Sequence, residues 1–285
     1  MQSHAEAQNP SSDTLPFEIH IGDLSHFWEE IARAPTPRHL VVTPTDLHQR
    51  NLEERLRKHQ WPHSNFEFRR IGELAGDITG EQTPVSTALD RVDRLALVGE
   101  VIEEAEDPVY EHLAATLGSP LNKHIERLER TRSELELVTG FHPIQMEAFV
   151  SLLGDQRDPS TEETLDLLAG VSRLHRDLQR RLSSNGDSLP TQAVSKTSLL
   201  CRALRIQQAT QSAWTDVYPS IEMLSVTGTS MLTAPIADLC RLVSQTTNVD
   251  VHVHLREASG PQIRRQLAVE SDTKQFGTQE IFEWR

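Results

Sequence analysis

The 285-residue sequence has only two cysteines, Cys201 and Cys240, and neither sits in a CxxC pair or near a metal-ligand spacing. That argues against a disulfide framework or a cysteine-built metal site and leaves two buried thiols in a reducing compartment. No apolar run approaches the roughly 18 residues of a membrane span. The polar stretch from Met1 to Leu15 lacks a basic start followed by an apolar segment, so no secretion signal is read. The expectation is a soluble, cytoplasmic protein with no membrane partner.

Basic charge is also short, with 28 Lys and Arg against 42 Asp and Glu, a formal net charge of -14. Such an excess opposes nonspecific attraction to phosphate backbones and anionic membranes, so any nucleic-acid contact has to be local. It fits a salt-rich cytoplasm, where screening shortens to a few ångströms and carboxylates keep a protein hydrated, and it fits an ordinary acidic protein equally well. Hydrophobic residues reach only 37%, so the core must come from well-patterned segments. The length suits one large domain, two small ones, or one domain carrying an insertion.

Phe17-Glu-Ile-His-Ile21 alternates as a strand ended by Gly22, and Leu24, Phe27, Trp28 and Ile31 follow at helical spacing. His39 to Thr43 is a short apolar run suited to a parallel strand covered on both faces. Pro44 closes it, and Thr45 or Asp46 can cap a helix containing Leu47, Leu52 and Leu56. Phe66 to Ile71 predicts a further short strand, with a loop at Gly80 to Pro84. From about residue 88 the segments 90–104, 109–117, 121–138, 144–153, 161–182 and 197–214 all carry helical periodicity. Strand signal returns at Ile221 to Val226 and again at Val249 to Leu255, with a helix between them. A parallel sheet interrupted by an all-helical insert explains this order with short connections.

The turn after the first strand is the position where a nucleotide-binding sheet carries its glycine-rich phosphate loop. Here it reads Gly22-Asp23-Leu24-Ser25-His26-Phe27, with one glycine, no lysine, and Asp23 where phosphates would sit. Gly22, Asp23 and Ser25 thus mark a degenerate loop, and no nucleotide cofactor is expected. Ser195-Lys196-Thr197-Ser198 resembles the end of such a loop but lacks its glycines and opens a helix instead of following a strand. His252 and His254 share one face of the last strand and could hold a metal, yet no third ligand is identifiable. They read as a solvated strand face, and no metal site is assigned. The pairs Glu53-Glu54, Glu103-Glu104 and Glu162-Glu163 fall on polar helix faces, and Thr227-Gly228-Thr229-Ser230 supplies no nucleophile elbow. No catalytic set is assigned.

Several of these segments resemble UvrD/Rep-type helicases and the N-terminal helicase-like region of AddB-type helicase-nuclease subunits of the PD-(D/E)XK nuclease family. His39-Leu-Val-Val-Thr-Pro-Thr45, followed by Leu47 to Leu56, is similar to the strand and helix that follow the phosphate loop there. Phe68-Arg69-Arg70-Ile71-Gly72-Glu73-Leu74 resembles the segment that introduces the helical subdomain, and 222–233 resembles a later strand and helix start. The resemblance implies a P-loop-NTPase-like sheet. Its core is expected at 16–87 and 217–256, with a helical insertion at 88–216. A disordered tail is expected at 1–15, and an extension or the start of a second lobe at 257–285. The family's acidic pair for magnesium is missing after the Ile221 strand.

The resemblance further implies a non-catalytic domain of a DNA recombination and repair system, acting as a scaffold for a helicase or nuclease partner. Single-stranded DNA would be a second partner, with Thr43, Thr45, Trp61, Arg69 and Arg70 as candidate contacts. A regulatory or small-molecule-binding α/β protein unrelated to DNA is the alternative. Gln279 to Trp284 reads as a final strand whose aromatic face would favour association.

Overall fold

A computed structural model describes residues 15–22, 24–33, 38–83, 85–154, 160–183, 192–229 and 232–263. The tail expected at 1–15, apart from Leu15, and the alternating segment Gln279 to Trp284 lie outside the described residues. So does Asp23.

In chain order the elements are β1 (Glu18–Ile21), α1 (Ser25–Arg33), β2 (His39–Thr43), α2 (Asp46–Lys58), β3 (Phe66–Arg70), α3 (Ile71–Gln82) and β4 (Thr87–Ala88). Then come α4 (Arg91–Glu103), α5 (Pro108–Leu117), α6 (Ile125–Thr139), α7 (Pro143–Gly154), α8 (Ser160–Ser183) and β5 (Gln192–Ala193). The chain returns through α9 (Lys196–Thr210), α10 (Ala213–Val217), β6 (Met223–Thr229), α11 (Ala234–Thr246) and β7 (Asp250–Leu255).

Five strands form one parallel sheet in the order β1-β7-β6-β2-β3. Parallel pairing requires crossovers, and the crossovers coat both faces. On one face α1 and α2 press Phe27, Ile31, Leu52 and Leu56 onto Val41. On the other, α3, α9 and α11 bury Leu74, Ile78, Leu199, Ala203, Leu239 and Val243 against Leu40, Val42 and Val226. Coverage on both sides explains why every residue of β2 is buried, as its unbroken apolar run predicts. β7 alternates polar and apolar residues, yet Val251 to Leu255 are all buried. His252 and His254 therefore lie beneath α1 and do not form the solvated face expected of them.

α3 runs through Gly76 and Gly80, where a loop is expected from Gly80 onward. Close packing explains it. A Cβ placed on Gly76 would stand 2.4 Å from the backbone oxygen of Ser86. Gly76→Ala should therefore shift the backbone and destabilise the protein by about 1–3 kcal/mol, measured by denaturant unfolding. An unchanged midpoint would show that the 85–88 segment yields freely.

The helical block divides by its packing. α4 to α8 share an apolar core of Leu113, Leu128, Met146, Val171 and Leu174, reaching Val194. α9 and α10, expected within that block, instead pack with the sheet layer through Leu200, Ala203 and Trp214. Two short strands, β4 and β5, pair in parallel where the chain leaves the sheet layer and returns. The two units meet along a polar seam. Glu136 of α6 accepts from Ser195 at 2.6 Å and from Ser198 at the start of α9, while Gln145 of α7 donates to Asp238 of α11 at 3.0 Å. No described helix is long and apolar enough to cross a membrane.

Candidate functional site

The residues singled out for nucleotide and DNA contact gather mainly at the carboxyl ends of the strands, where open parallel sheets place their ligands. The phosphate-loop position comes first. Gly22 adopts φ 131°, a conformation that favours glycine, and its N–H donates to the Leu255 carbonyl at 3.1 Å. That N–H closes the β1–β7 pairing and does not face an anion. Gly260, from the turn after β7, packs onto Ile21 so closely that a Cβ would stand 2.6 Å from its side chain. Ser25 opens α1 and is exposed. The single glycine, the missing lysine and the diverted N–H do not fit a nucleotide's phosphates.

The crevice between β2 and β6 is the next place where a nucleotide or its magnesium would sit, because the outgoing helices α2 and α11 lie on opposite faces there. It is occupied by the protein's own side chain. The His48 ring packs on Gly228, whose φ is 72°, so that a Cβ there would meet Nε2 at 2.5 Å. Nε2 lies 3.3 Å from the Thr227 hydroxyl. Burial, then Arg256 and Arg55, lower the His48 pKa and keep the ring neutral. From Met223 to Thr229 β6 carries hydroxyls at Ser225, Thr227 and Thr229 and no carboxylate, so a magnesium ion has no acidic ligand on this strand.

The five candidate DNA contacts divide between structural duties. Thr43 is buried at the end of β2, and the Thr45 hydroxyl caps α2 by accepting from the His48 N–H at 3.3 Å. Arg69 is held by Asp77 and Glu67, each at 2.8 Å, and Asp77 also accepts from the Tyr218 hydroxyl at 2.7 Å. Arg70 pairs with Glu73 and, at 3.1 Å, with Asp46. Trp61 stands at the opposite, amino-terminal end of the sheet, stacked on Trp28 at 5.4 Å and on His59 at 4.9 Å. The structure thus brings Thr43, Thr45 and Arg70 to one edge and leaves Trp61 away from them. A groove of about 510 Å³ at this edge sets Arg50, Arg69 and Arg70 among the carboxylates of Asp46, Glu53, Glu73 and Asp77. Its arginines are largely neutralised locally.

Two groups escaped the sequence reading. His48 carries no motif, and only the glycine facing it shows why a ring stands there. Glu18 and His20 of β1 stand beside His252 and His254 of β7, in the register Glu18 to His252 and His20 to His254. The signal existed as two pairs of chelating residues at strand spacing, but it required the sheet order to become a cluster.

Residues 3–283 match the family described as Halobacterial UvrD-like protein. The chain belongs to this family. Nearly the whole length is covered, and the chain is helicase-related. No curated protein matches the sequence.

Proposed function

We propose that this halobacterial UvrD-like chain is a non-catalytic helicase-like domain of a DNA recombination and repair system. It acts by contact with a helicase or nuclease partner and holds single-stranded DNA weakly. The observation that carries the reading is the turn after β1, where Gly22 spends its N–H on Leu255 and no lysine follows. A helicase relative that cannot cradle phosphates has lost the source of motor work. An AddB-like place beside a nuclease extends the same reading, as does a salt-rich cytoplasm for a chain of net charge -14. The rival small-molecule reading has less support. The pocket along the seam, lined by Glu136, Phe141, His175, Cys201 and Asp238, offers about 80 Å³, well below the roughly 300–1,000 Å³ of ligand sites, and the groove of about 510 Å³ at the β3 edge is lined mainly by charged side chains where such sites are mostly apolar.

Fluorescence anisotropy on a labelled single strand tests the proposal. If Arg50, Arg69 and Arg70 each meet a phosphate, the logarithm of affinity should fall against that of salt with a slope of about -2, or close to 20-fold per fourfold rise in salt. The affinity should be the same with and without magnesium-ATP. Nucleotide-dependent affinity would overturn the non-catalytic reading, and no binding at low salt would remove the direct DNA role.

A further inference from the structure

The covered face at the β1 edge carries a second arrangement that the helicase reading does not use. Glu18 and His20 alternate on β1, His252 and His254 alternate on β7, and the parallel register sets the two pairs side by side. His20 Nε2 lies 3.0 Å from His252 Nδ1 and 3.6 Å from Glu18 Oε2, and His252 Nδ1 lies 3.7 Å from the same carboxylate oxygen. The nearest point equidistant from these three atoms stands about 2.0 Å from each of them, a minimum fixed by the three separations, so an ion on that axis can sit at the roughly 2.0–2.2 Å reach of zinc to imidazole nitrogen and carboxylate oxygen. Among the described residues these three form the group whose ligand atoms all lie within 4.8 Å of one another.

We infer that Glu18, His20 and His252 form a binding site for a divalent transition-metal ion of the zinc class. Two imidazole nitrogens and one carboxylate select such an ion over magnesium or calcium, which prefer all-oxygen surroundings. The imidazoles are largely buried, with side chains 14% and 10% exposed, whereas Glu18 is 70% exposed and opens the site to solvent. The surroundings hold the rings in place. His254 stacks on His20 with centroids 4.8 Å apart and planes 18° from parallel, and Phe27 of α1 meets His254 edge-on at 5.5 Å. His26, exposed in the first turn of α1, lies with its ring 5.3 Å from that of His20. The ion would tie the edge strand β1 to β7, joining residues 232 positions apart in sequence. It involves neither the phosphate-loop position nor the β2–β6 crevice, so it stands or falls separately from the helicase reading.

The test uses the full chain freed of any purification tag and stripped with a chelator, titrated with zinc chloride by calorimetry and with cobalt(II) by visible absorption. Because the chain holds 13 histidines, His112→Ala serves as a control for scattered surface binding. The expected result is one tight equivalent of zinc, unaffected by excess magnesium, with four-coordinate cobalt bands and a rise in thermal midpoint on loading. His252→Gln and Glu18→Gln should each lose at least tenfold in affinity while folding as judged by circular dichroism, and His112→Ala should bind like the parent. A parent chain that takes up no equivalent at micromolar zinc would overturn the site and leave a ring-to-ring hydrogen bond. Retention of the tight equivalent by folded His252→Gln would overturn it as well.

Discussion

Replacing Arg132 by methionine is expected to cost about 3–5 kcal/mol of folding stability. At roughly 2–4 °C per kcal/mol for a domain of this size, the thermal midpoint should fall by about 10 °C. The guanidinium is fully buried inside the helical insert. It donates to both oxygens of Glu129 at 2.6 and 3.0 Å, and to Glu136 and His175 at 3.0 and 3.1 Å. Burial works to lower its pKa, but Glu136 and Glu129 outweigh that and raise it, so the charge is permanent. Methionine would fill much of the volume while leaving two buried carboxylates without their shared cation, apart from the Arg94 contact to Glu129 at 2.6 Å. The double variant Arg132→Met, Glu136→Gln should recover part of the loss, because it removes one of the stranded charges. Salt distinguishes this pair from surface pairs. Molar potassium chloride should leave the Arg132 effect unchanged, since a buried pair is poorly screened. A loss below about 1 kcal/mol, the range of exposed ion pairs, would contradict the network's role.

Acidification should unfold the protein through the same network, beginning below pH 6.5. His175 is buried, with its ring stacked on Phe141 at 3.8 Å. Its Nδ1 accepts from Arg132 at 3.1 Å, and its Nε2 lies 2.9 Å from the Gln179 side-chain nitrogen. Burial first, and Arg132 and Arg205 with it, push its pKa from 6.5 down to about 3 against the opposite pull of Glu136. The unfolded chain therefore takes up a proton between pH 6.5 and pH 3 that the folded chain refuses, and stability falls with pH throughout that window. One pKa unit corresponds to about 1.4 kcal/mol, so the loss from pH 7 to pH 5 is about 2 kcal/mol from this residue. Glu136 adds to it at lower pH. Burial alone would raise its pKa, but Arg132 and the hydroxyls of Ser195 and Ser198 hold it below 4.5, so its stabilisation is present above 4.5 and lost in acid. Denaturant unfolding of His175→Gln should show a flatter dependence between pH 7 and pH 5 than the parent. Identical slopes would contradict the neutral buried ring.

Much of the sheet is legible from residue pattern alone, because it is local. The apolar run at Leu40 to Val42 announces a covered strand, and Gly118 and Gly140, in the left-handed conformation, end α5 and α6 where the helical periodicity stops. Contacts across the sheet are not local. Nothing near Arg69 in sequence shows that Tyr218 would approach Asp77 from 141 positions away and complete its ion pair. The face of α9 that meets the sheet has the same spacing as one that meets helices, so periodicity alone cannot assign α9 to the sheet layer or to the insert. His252 and His254 read as polar because alternation suggests one wet face, and only α1 above them makes that face dry. The missing lysine and missing glycines after β1 are read from the sequence directly, because an absent residue needs no partner to be seen.

Equilibrium binding of magnesium-ATP to the purified chain, followed by steady-state turnover with and without single-stranded DNA, tests the helicase-like, non-catalytic account most directly. The account predicts no saturable nucleotide binding at millimolar magnesium-ATP and no phosphate release above the protein-free rate, with DNA making no difference. Saturable binding with DNA-stimulated turnover, abolished by a substitution at Gly22 or Ser25 in a chain that still folds, would contradict it.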